Sequence, residues 1–389
     1  MNIAMKNAKQ KKRRTPQQML LAGVMLFFFT AFLLLFVQSP SLLTAAMALL
    51  VPLAVWAMVR ILPRLFPMDE FLLTLIAFLC ALGVLLQYRY TPSRGLTQAF
   101  NCGAGLVAMV VCALAVRHIK SWRLLMVPLM GLSCALMALP FVFRAVNAGM
   151  IFIGLMLGFL VLQRDLGTAA IYGGAGLVLL YAATSSLLLI GGILGAGVGA
   201  VAVLYALFKN SYFLTVQNRI SNWLDPFSTY DQLGGGYQIV QSLIAIANGG
   251  WWGTGLGLGN ASVIPEFRTD FIFSALINEF GLVFAALVAC VYVLIVLRSA
   301  DIALRSTSAF HALLAAGSAA LLAVQAFIIL GGVLKFIPMT GVTVPFLSYG
   351  GTSLVSCLGL MGAVQGVASR NERLLREDQR LAEGGEDAQ

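Results

Sequence analysis

Long apolar runs recur along almost the whole chain, and they constrain the fold more than any other feature. The run Met19–Val37 is typical, since it extends for 19 residues without a charged side chain. A run of roughly 18 or more apolar residues is long enough to cross a hydrocarbon core as one α-helix. An open sheet edge inside a bilayer would leave backbone groups without hydrogen bonds, so such runs indicate helices. We therefore predict an all-α fold, a polytopic membrane helix bundle.

The composition supports this class of protein. The chain has 389 residues, of which 60% are hydrophobic and only 10% are charged. Soluble domains contain about 45–50% apolar and about 25% charged residues, so a soluble domain is excluded. We predict a basic cytoplasmic tail over residues 1–18, one membrane domain over residues 19–368, and a charged, disordered cytoplasmic tail over residues 369–389.

Basic loops between the apolar runs indicate the orientation, because loops rich in Lys and Arg stay on the cytoplasmic side. The basic segments are the N-terminal tail, the loops Arg60–Arg64, Arg117–Arg123 and Arg298–Arg305, and the start of the C-terminal tail at Arg370. All five can be cytoplasmic if one apolar run does not cross the membrane, and the weakest run is Gly149–Leu162, with 14 residues. A run of that length is more typical of a re-entrant or interfacial segment. We predict ten crossings and two cytoplasmic termini, which makes residues 143–167 and 208–269 extracytoplasmic. The runs are Met19–Val37, Ser41–Val59, Phe71–Leu86, Cys102–Val116, Leu124–Val142, Gly149–Leu162, Thr168–Tyr181, Leu187–Leu207, Phe271–Leu297, Ala312–Leu334 and Phe346–Val367.

Neither the basic tail nor the cysteines indicate a bound nucleic acid or metal. Beside a membrane span, six Lys and Arg residues are typical of a cytoplasmic flank. The six cysteines lie in or beside apolar runs without CxxC spacing, and the two histidines stand alone, so a packing role is expected. The sequence identifies no cofactor, and it leaves a divalent cation open.

The predicted extracytoplasmic segment contains an amphipathic helix that begins near Gly236. Such a helix either lies flat at the lipid headgroups or lines a groove. The glycines of Gly253–Gly259 are expected to permit tight turns and close backbone approach. Three tryptophans suit the membrane interface: Trp223, Trp251 and Trp252. The apolar face of the helix comprises Ile239, Val240, Leu243, Ile244 and Ala247, and Gln238, Gln241 and Ser242 lie opposite.

Asp270 stands where this polar segment meets an apolar run that continues to Leu297. A carboxylate at the start of a helix is either a cap for free N–H groups or a reactive group, and the residues alone favour neither. Glu279 lies about 14 Å further along the helix axis and near the opposite face, so the two acids do not form a catalytic pair. Within a hydrophobic region Glu279 needs a partner, and a structural ion pair is the favoured role.

Two more charged residues have two interpretations each. Asp165 precedes an apolar run, where a helix cap is favoured over a functional role. Lys335 interrupts an apolar stretch, where it either extends to the headgroups or contacts an anionic lipid head.

Six short strings follow one another over residues 219–353. They are Arg219…Trp223-Leu-Asp-Pro226, Gly236-Tyr-Gln-Ile-Val-Gln-Ser242, Ala245-Ile-Ala-Asn-Gly-Gly250, Pro265-Glu…Thr-Asp-Phe-Ile-Phe273, Pro338-Met-Thr-Gly341 and Pro345-Phe-Leu-Ser-Tyr-Gly-Gly-Thr-Ser353. A seventh string, Leu162-Gln-Arg-Asp-Leu-Gly-Thr-Ala169, lies upstream. In order and spacing these strings resemble the RodA/FtsW/SpoVE family, the SEDS proteins of bacterial shape, elongation, division and sporulation.

The resemblance implies a peptidoglycan glycosyltransferase in the bacterial plasma membrane, which polymerises lipid II on its extracytoplasmic face. It implies a polyprenyl carrier, a class B penicillin-binding transpeptidase as partner, and Asp270 as the essential acid. Among basic residues on the same predicted side, Arg219, Arg268 and Lys335 are candidates to hold pyrophosphate. Further candidates for substrate binding are Gln241, Ser242, Glu266, Thr269, Ser348 and Tyr349.

The chain is shorter than the family pattern between the third and fifth family spans. Leu124–Val142 leads almost directly into the Leu-Gln-Arg-Asp-Leu-Gly string, so the family's Gly-Ala-x-Arg-Trp segment and Gln-Pro-Ser-Glu-leading helix have no counterpart. Two alternatives to a polymerase therefore stay open, a lipid II flippase and a non-catalytic scaffold that activates the transpeptidase. A flippase predicts charged residues within several spans, and the sequence has few.

Overall fold

The structure is a computed structural model, and it describes residues 16–118, 158, 165–195, 199, 214–230 and 236–386. In this part of the chain eight helices are long and apolar enough to cross a membrane, which confirms the predicted all-α, polytopic class. We number the helices α1 (Pro16–Gln38), α2 (Leu42–Arg60), α3 (Leu62–Leu65), α4 (Glu70–Tyr90), α5 (Pro92–His118), α6 (Leu166–Thr184), α7 (Leu214–Leu224), α8 (Gly236–Gly249), α9 (Ile272–Leu304), α10 (Ala309–Val333) and α11 (Gly351–Glu386).

Helix α4 forms the centre of the bundle, since 89% of the 18-residue apolar stretch by which it could cross a membrane is buried. Helices α1, α2, α5 and α9 pack against α4, whereas α11 packs against α5, α9 and α10. Helix α6 lies on α10, on the far side of α9. Glycine makes the close pairing of α5 with α11 possible. A Cβ atom at Gly362 would collide with the Met109 backbone, and one at Gly366 would lie 2.7 Å from the Ala113 carbonyl oxygen. Small residues of this kind let membrane helices approach each other closely.

Hydrogen bonds define the two ends of the bundle. At one end, which we call the site end, Gln38 of α1 donates to the Leu256 carbonyl and Thr44 of α2 bonds to Tyr88 of α4. At the other end, Arg298 of α9 pairs with Asp69, which caps α4. Helix α1 therefore begins at the end where α11 finishes. This arrangement is in keeping with two termini on one side of the membrane.

The helix bounds differ from the predicted spans where protein rather than lipid covers the helix. Helix α5 begins at Pro92, ten residues before the predicted start at Cys102. Its polar first turns pack against protein, since Gln98 donates to the Ser348 carbonyl and Gly95 lies against the Tyr88 backbone.

The last span also differs. Residues 346–350 form a turn, and α11 begins only at Gly351. The helix then continues to Glu386, although the sequence predicted disorder after residue 369. Pairs four residues apart, such as Arg373 with Glu377, stabilise the charged part as a helix. The run Leu124–Val142, the run Gly149–Leu162 apart from Gly158, and most of Leu187–Leu207 after residue 195 lie outside the described residues, so the number of ten crossings stays a prediction.

Helix α9 is interrupted at Gly281, which has φ of 82° and ψ of 170°. Before this break residues 271–279 are buried on every side, whereas after it exposed positions recur on one face, beginning with Leu282 and Val283. That second pattern is the one expected of a lipid-facing helix. The first two turns of α9 are therefore enclosed by protein, and the membrane-exposed part starts at the break.

The loop after α8 supplies the backbone hydrogen bonds that the break in α9 leaves open. The Leu282 and Val283 amides donate to the Gly250 and Trp251 carbonyls, and the Thr254 and Gly255 amides donate to the Asn278 and Glu279 carbonyls. Irregular backbone at membrane depth is tolerated where protein buries it in this way. Gly250, Gly253, Gly255 and Gly257 all have positive φ, which confirms the predicted role of the glycine-rich segment in tight turns.

Candidate functional site

Asp270 ends a tight turn before α9, and it does not cap the helix. The N-cap residue of α9 is Phe271, which makes no side-chain capping bond. The Asp270 amide donates to the Glu266 carbonyl, which fixes the turn. In the described part of the chain the Asp270 carboxylate has no ion-pair partner within 4.0 Å. Of the two interpretations of this acid, helix cap and reactive group, the structure removes the first.

Four residues set the environment of the half-buried Asp270 carboxylate. A Cβ atom at Gly341 would lie 3.5 Å from Oδ2, so one side of the carboxylate faces the loop after α10. Burial raises the pKa of Asp270 above its ordinary value, and the negative charge of Glu266 raises it further. The Thr269 side chain and the positive charge of Arg219 lower it. A raised pKa makes a carboxylate a stronger base, which favours a role in proton transfer.

Hydrogen bonds join the turn that carries Asp270 to the loop that precedes α11. The Ser348 hydroxyl donates to the Thr269 carbonyl and accepts from the Val344 amide at 2.8 Å, and the Tyr349 amide donates to the Arg268 carbonyl at 2.8 Å. The Gln87 side chain of α4 donates to the same Arg268 carbonyl at 3.0 Å. Ser348 and Thr269 therefore hold the turn that carries Asp270, which is a positioning role.

Backbone strain is concentrated in the loops around the site. Among the described residues four that are not glycine have positive φ, and three of them lie in these loops: Glu266, Lys335 and Phe346. Such conformations cost about 1–3 kcal/mol each and tend to cluster at functional sites. The Phe346 carbonyl fits against α4 only because position 83 is glycine, where a Cβ atom would lie 2.6 Å from that oxygen.

Arg219 acts on the Asp270 carboxylate from α7, and α7 is tied to the residue that carries the Lys335 side chain. Arg219 lies on α7 one turn before Trp223, and the Trp223 indole donates to the Lys335 carbonyl at 3.0 Å. This bond ties α7 to the end of α10. Trp223 is therefore partly buried in the protein, whereas Trp251 and Trp252 are 67% and 82% exposed, as residues of a membrane interface would be.

Arg268 lies on another side, together with a residue that the sequence did not single out. Its guanidinium donates to the Thr91 hydroxyl at 2.9 Å and lies 4.5 Å from the centroid of the Phe267 ring. The Arg94 guanidinium is 5.4 Å from the centroid of the Tyr349 ring. One sequence signal could have placed Arg94 in the first turn of a helix. That signal is Pro92, because proline favours the first turn and marks where α5 begins.

Gln241 and Ser242 are not placed at Asp270. The Ser242 hydroxyl is buried against that of Ser274 at 2.6 Å, which fastens α8 to α9. The Gln241 amide donates to the Tyr230 hydroxyl at 3.1 Å. The prediction that Ser242 lies on the polar face of the helix is wrong, since the buried face of α8 contains it and Ile244 is 45% exposed. The close approach of α8 to α9 at Gly249 explains this orientation.

The remaining two acids have structural roles. The Glu279 carboxylate is fully buried and pairs with Arg89 at 3.0 Å, as favoured from the sequence. The Asp165 carboxylate accepts from the Thr168 amide at 3.1 Å and caps α6, which confirms the favoured interpretation. In the ranges that the structure describes, no three His, Cys, Asp or Glu side chains are arranged to hold a metal ion.

Fold and site together define a polytopic helical membrane protein in which a half-buried carboxylate at one end of the bundle caps no helix and feels the positive charge of Arg219. The chain belongs to the FtsW/RodA/SpoVE family, described as cell cycle proteins, whose family model matches residues 138–373. Asp270, Arg219, Arg268 and Lys335 all lie within that match, whereas Arg94 lies outside it.

Similar proteins include two kinds of peptidoglycan glycosyltransferase. RodA of Mycobacterium bovis is 39% identical over 219 residues, which are 56% of this chain and 45% of that protein. A probable FtsW of a Geobacter species is 35% identical over 224 residues, which are 57% of this chain and 59% of that protein. The chain thus spans about half the length of the curated relatives it matches.

Solved structures share the fold at lower sequence identity. A chain of a peptidoglycan synthase complex that coordinates polymerization and crosslinking matches with a TM-score of 0.61 and 22% identity, over 79% of this chain and 98% of that one. A mutant of the rod-shape-determining protein RodA of Thermus thermophilus matches with a TM-score of 0.51 and 21% identity, over 77% and 97%.

Proposed function

We propose that this protein is a peptidoglycan glycosyltransferase that polymerises lipid II, with Asp270 as the general base. The proposal rests on the surroundings of the Asp270 carboxylate. Its carboxylate caps no helix and has no ion-pair partner in the described residues, and it lies beside Arg219 in the part of the chain that matches the family. The names of the relatives supply the reaction class.

The proposed step is a displacement at an anomeric carbon. The Asp270 carboxylate takes the proton of an acceptor sugar hydroxyl while the hydroxyl oxygen attacks the anomeric carbon of the donor. The bond from that carbon to the pyrophosphate oxygen breaks, and the leaving group departs with the electron pair. A general base of this kind contributes about 10²–10⁴-fold to the rate.

Arg219 and Lys335 are suited to stabilise the leaving pyrophosphate. The Trp223 indole links the residue that follows α10 to the helix that carries Arg219, so the backbones that carry the two cations are joined. Fixed positive charge is most effective where negative charge develops during the reaction. The proposal places the site end at the extracytoplasmic face of a bacterial plasma membrane, where a polyprenyl carrier and a class B penicillin-binding transpeptidase would meet it.

A flippase receives less support from the buried charges. A transport route needs polar groups at membrane depth that can exchange partners. Glu279 is the buried acid of this region, and Arg89 and the Gly257 amide already hold it. The scaffold alternative gains from the family segments that have no counterpart between Leu124–Val142 and the Leu-Gln-Arg-Asp-Leu-Gly string, and the experiment below separates it from the polymerase.

The experiment uses the full chain, purified with a class B transpeptidase and supplied with labelled lipid II. The wild type should form glycan strands and Asp270→Asn should not. Asp165→Asn is the matched control, because asparagine caps a helix about as well as aspartate does, and it should polymerise like the wild type. Strand formation by Asp270→Asn would refute the assignment of the base. Failure of all three proteins, with the transpeptidase still bound, would favour a scaffold.

A further inference from the structure

A second pair of basic side chains lies at the site end, apart from Arg219 and Lys335. We propose that Arg94 and Arg268, with the Thr91 hydroxyl, form a binding site for the diphosphate headgroup of a polyprenyl-linked ligand. The identification of that ligand as a second substrate molecule rests on the proposed function. The existence of an anion site does not, because it follows from the geometry and charge of these residues.

Neighbouring groups hold both guanidinium groups in place. Arg268 is fixed by its bond to Thr91 and by the Phe267 ring, and Arg94 lies over the Tyr349 ring. The Tyr349 amide in turn donates to the Arg268 carbonyl, so the two arginines share one hydrogen-bonded frame. Stacking on an aromatic ring orients a guanidinium and leaves its N–H groups free to bind an anion.

The two positive charges are close together and lack a carboxylate partner. Burial and then the positive charge of Arg94 lower the pKa of Arg268, while the negative charge of Glu266 has a smaller effect in the opposite direction. No carboxylate lies within 4.0 Å of either guanidinium in the part of the chain that the structure describes. By contrast Arg60, Arg89 and Arg298 each pair with an acid.

One donor of Arg268 has no hydrogen-bond partner. Its Nε atom is buried and makes no bond to the described residues. A buried donor without a partner costs about 1–3 kcal/mol, and more when it belongs to a charged group. An anion bound by the outer N–H groups of the two guanidinium groups would relieve the repulsion between the two cations. Guanidinium groups suit phosphate oxygens because they can present two parallel N–H groups.

The position of this pair relative to Asp270 fits a reaction between two lipid-linked molecules. Arg268 turns towards Thr91, at the junction of α4 and α5, whereas Asp270 faces Gly341 and the charge of Arg219. Basic groups therefore flank Asp270 on two sides. Glycan polymerisation joins two molecules that each carry a diphosphate, so two separate anion sites meet what the proposed reaction requires.

The test measures how many diphosphates the full chain binds and how tightly. Native mass spectrometry and titration in detergent would use undecaprenyl diphosphate, with inorganic diphosphate as the headgroup alone. The wild type should bind two molecules of the lipid. Arg94→Gln and Arg268→Gln should each lose one of them, or bind it about 10- to 100-fold more weakly, as expected for a hydrogen bond to a charged group.

Arg305→Gln is the matched control, since that exposed arginine pairs with Asp301 at the other end of the bundle. It should bind like the wild type. Unchanged stoichiometry and affinity in both Arg94→Gln and Arg268→Gln would overturn the site.

A further measurement uses nanodiscs that contain phosphatidylglycerol as a competing anionic lipid. If this lipid displaces the diphosphate from the Arg94 site at equal concentration, the ligand is an ordinary anionic phospholipid, and the assignment to a second substrate is overturned.

Asp270→Asn separates this proposal from the proposed function. The variant should keep both bound diphosphates while it loses polymerisation. If Asp270→Asn still polymerises but Arg94→Gln loses a diphosphate, the base assignment fails and the anion site stands. If Asp270→Asn is inactive and Arg94→Gln binds two diphosphates, the base assignment stands and the anion site fails.

Discussion

Nε of Arg89 lies 3.0 Å from Oε1 of Glu279, and the Glu279 side chain is fully buried. Arg89 also donates to the Gly257 and Gly259 carbonyls at 2.8 and 2.9 Å, and the Gly257 amide approaches Oε2 of Glu279 at 3.4 Å. This one ion pair therefore joins the end of α4, the break in α9 and the glycine-rich loop. Its position makes it a support for the enclosed half-helix that follows Asp270.

Loss of either partner of this pair should destabilise the protein strongly. Glu279→Gln or Arg89→Gln leaves one buried charge without compensation, which costs about 3–5 kcal/mol. Thermal unfolding in detergent would measure the loss. Glu70→Gln is the matched control, because the Arg60–Glu70 pair is partly exposed. An exposed pair contributes at most about 1 kcal/mol. Similar melting temperatures for Glu279→Gln and Glu70→Gln would contradict the supporting role.

Gly281→Ala should destabilise the protein and reduce activity together. Alanine is strained at φ of 82°, and its Cβ would collide with the Trp251 carbonyl that accepts from Val283. The loss should be about 1–3 kcal/mol, measured by thermal unfolding together with lipid II polymerisation. In Gly23→Ala the new methyl group enters open space on α1, so that control should unfold at or above the wild-type temperature. A Gly281→Ala protein as stable as this control would mean that the break is not required.

Ser242 and Ser274 should behave as a packing pair and not as substrate ligands. Ser242→Ala leaves a buried hydroxyl unpaired and should cost about 1–3 kcal/mol, whereas removal of both hydroxyls should cost less than the sum of the single changes. A double-mutant cycle on unfolding free energies measures the coupling. The KM for lipid II should stay unchanged in Ser242→Ala, and a large rise in KM would restore the substrate-binding role predicted from the sequence.

Sequence patterns predicted the class of fold because bilayer physics leaves few choices for long apolar runs. They also predicted the roles of Asp165 and Glu279, since a cap and a buried ion pair follow from local position and burial. The break at Gly281 was not predicted, because one glycine after Asn278 and Glu279 does not by itself end a helix when apolar residues continue on both sides of it. Protein encloses the first two turns of α9 and lipid covers the rest, and both environments select apolar residues.

The site itself was predicted only in part. Asp270 and Arg219 stand in strings that resemble a family, and Lys335 lies three residues before another, but the contact of Arg94 with Tyr349 joins residues 255 positions apart in the chain. No local pattern reveals such a contact. The orientation of Ser242 was wrong for a related reason. Helical spacing shows which residues share a face, whereas the close approach at Gly249 decides which face is buried.

The pH dependence of polymerisation provides the sharpest test of Asp270. A general base works when deprotonated, so the rate should fall as the pH drops through the pKa of Asp270, which burial raises above its ordinary value. Glu266 raises this pKa further and Arg219 lowers it. Glu266→Gln should therefore move the acid limb of the pH–rate profile to lower pH, and Arg219→Gln should move it to higher pH.

Opposite shifts distinguish titration of Asp270 from a general loss of structure, which would lower the rate at every pH without moving the limb. Glu70→Gln removes a carboxylate at the far end of the bundle and should leave the limb in place. The profile should be measured as kcat/KM, because this quantity reports the pKa of the free enzyme. Shifts of Glu266→Gln and Arg219→Gln in the same direction would show that another group controls the acid limb, and Asp270 would lose its role as the base.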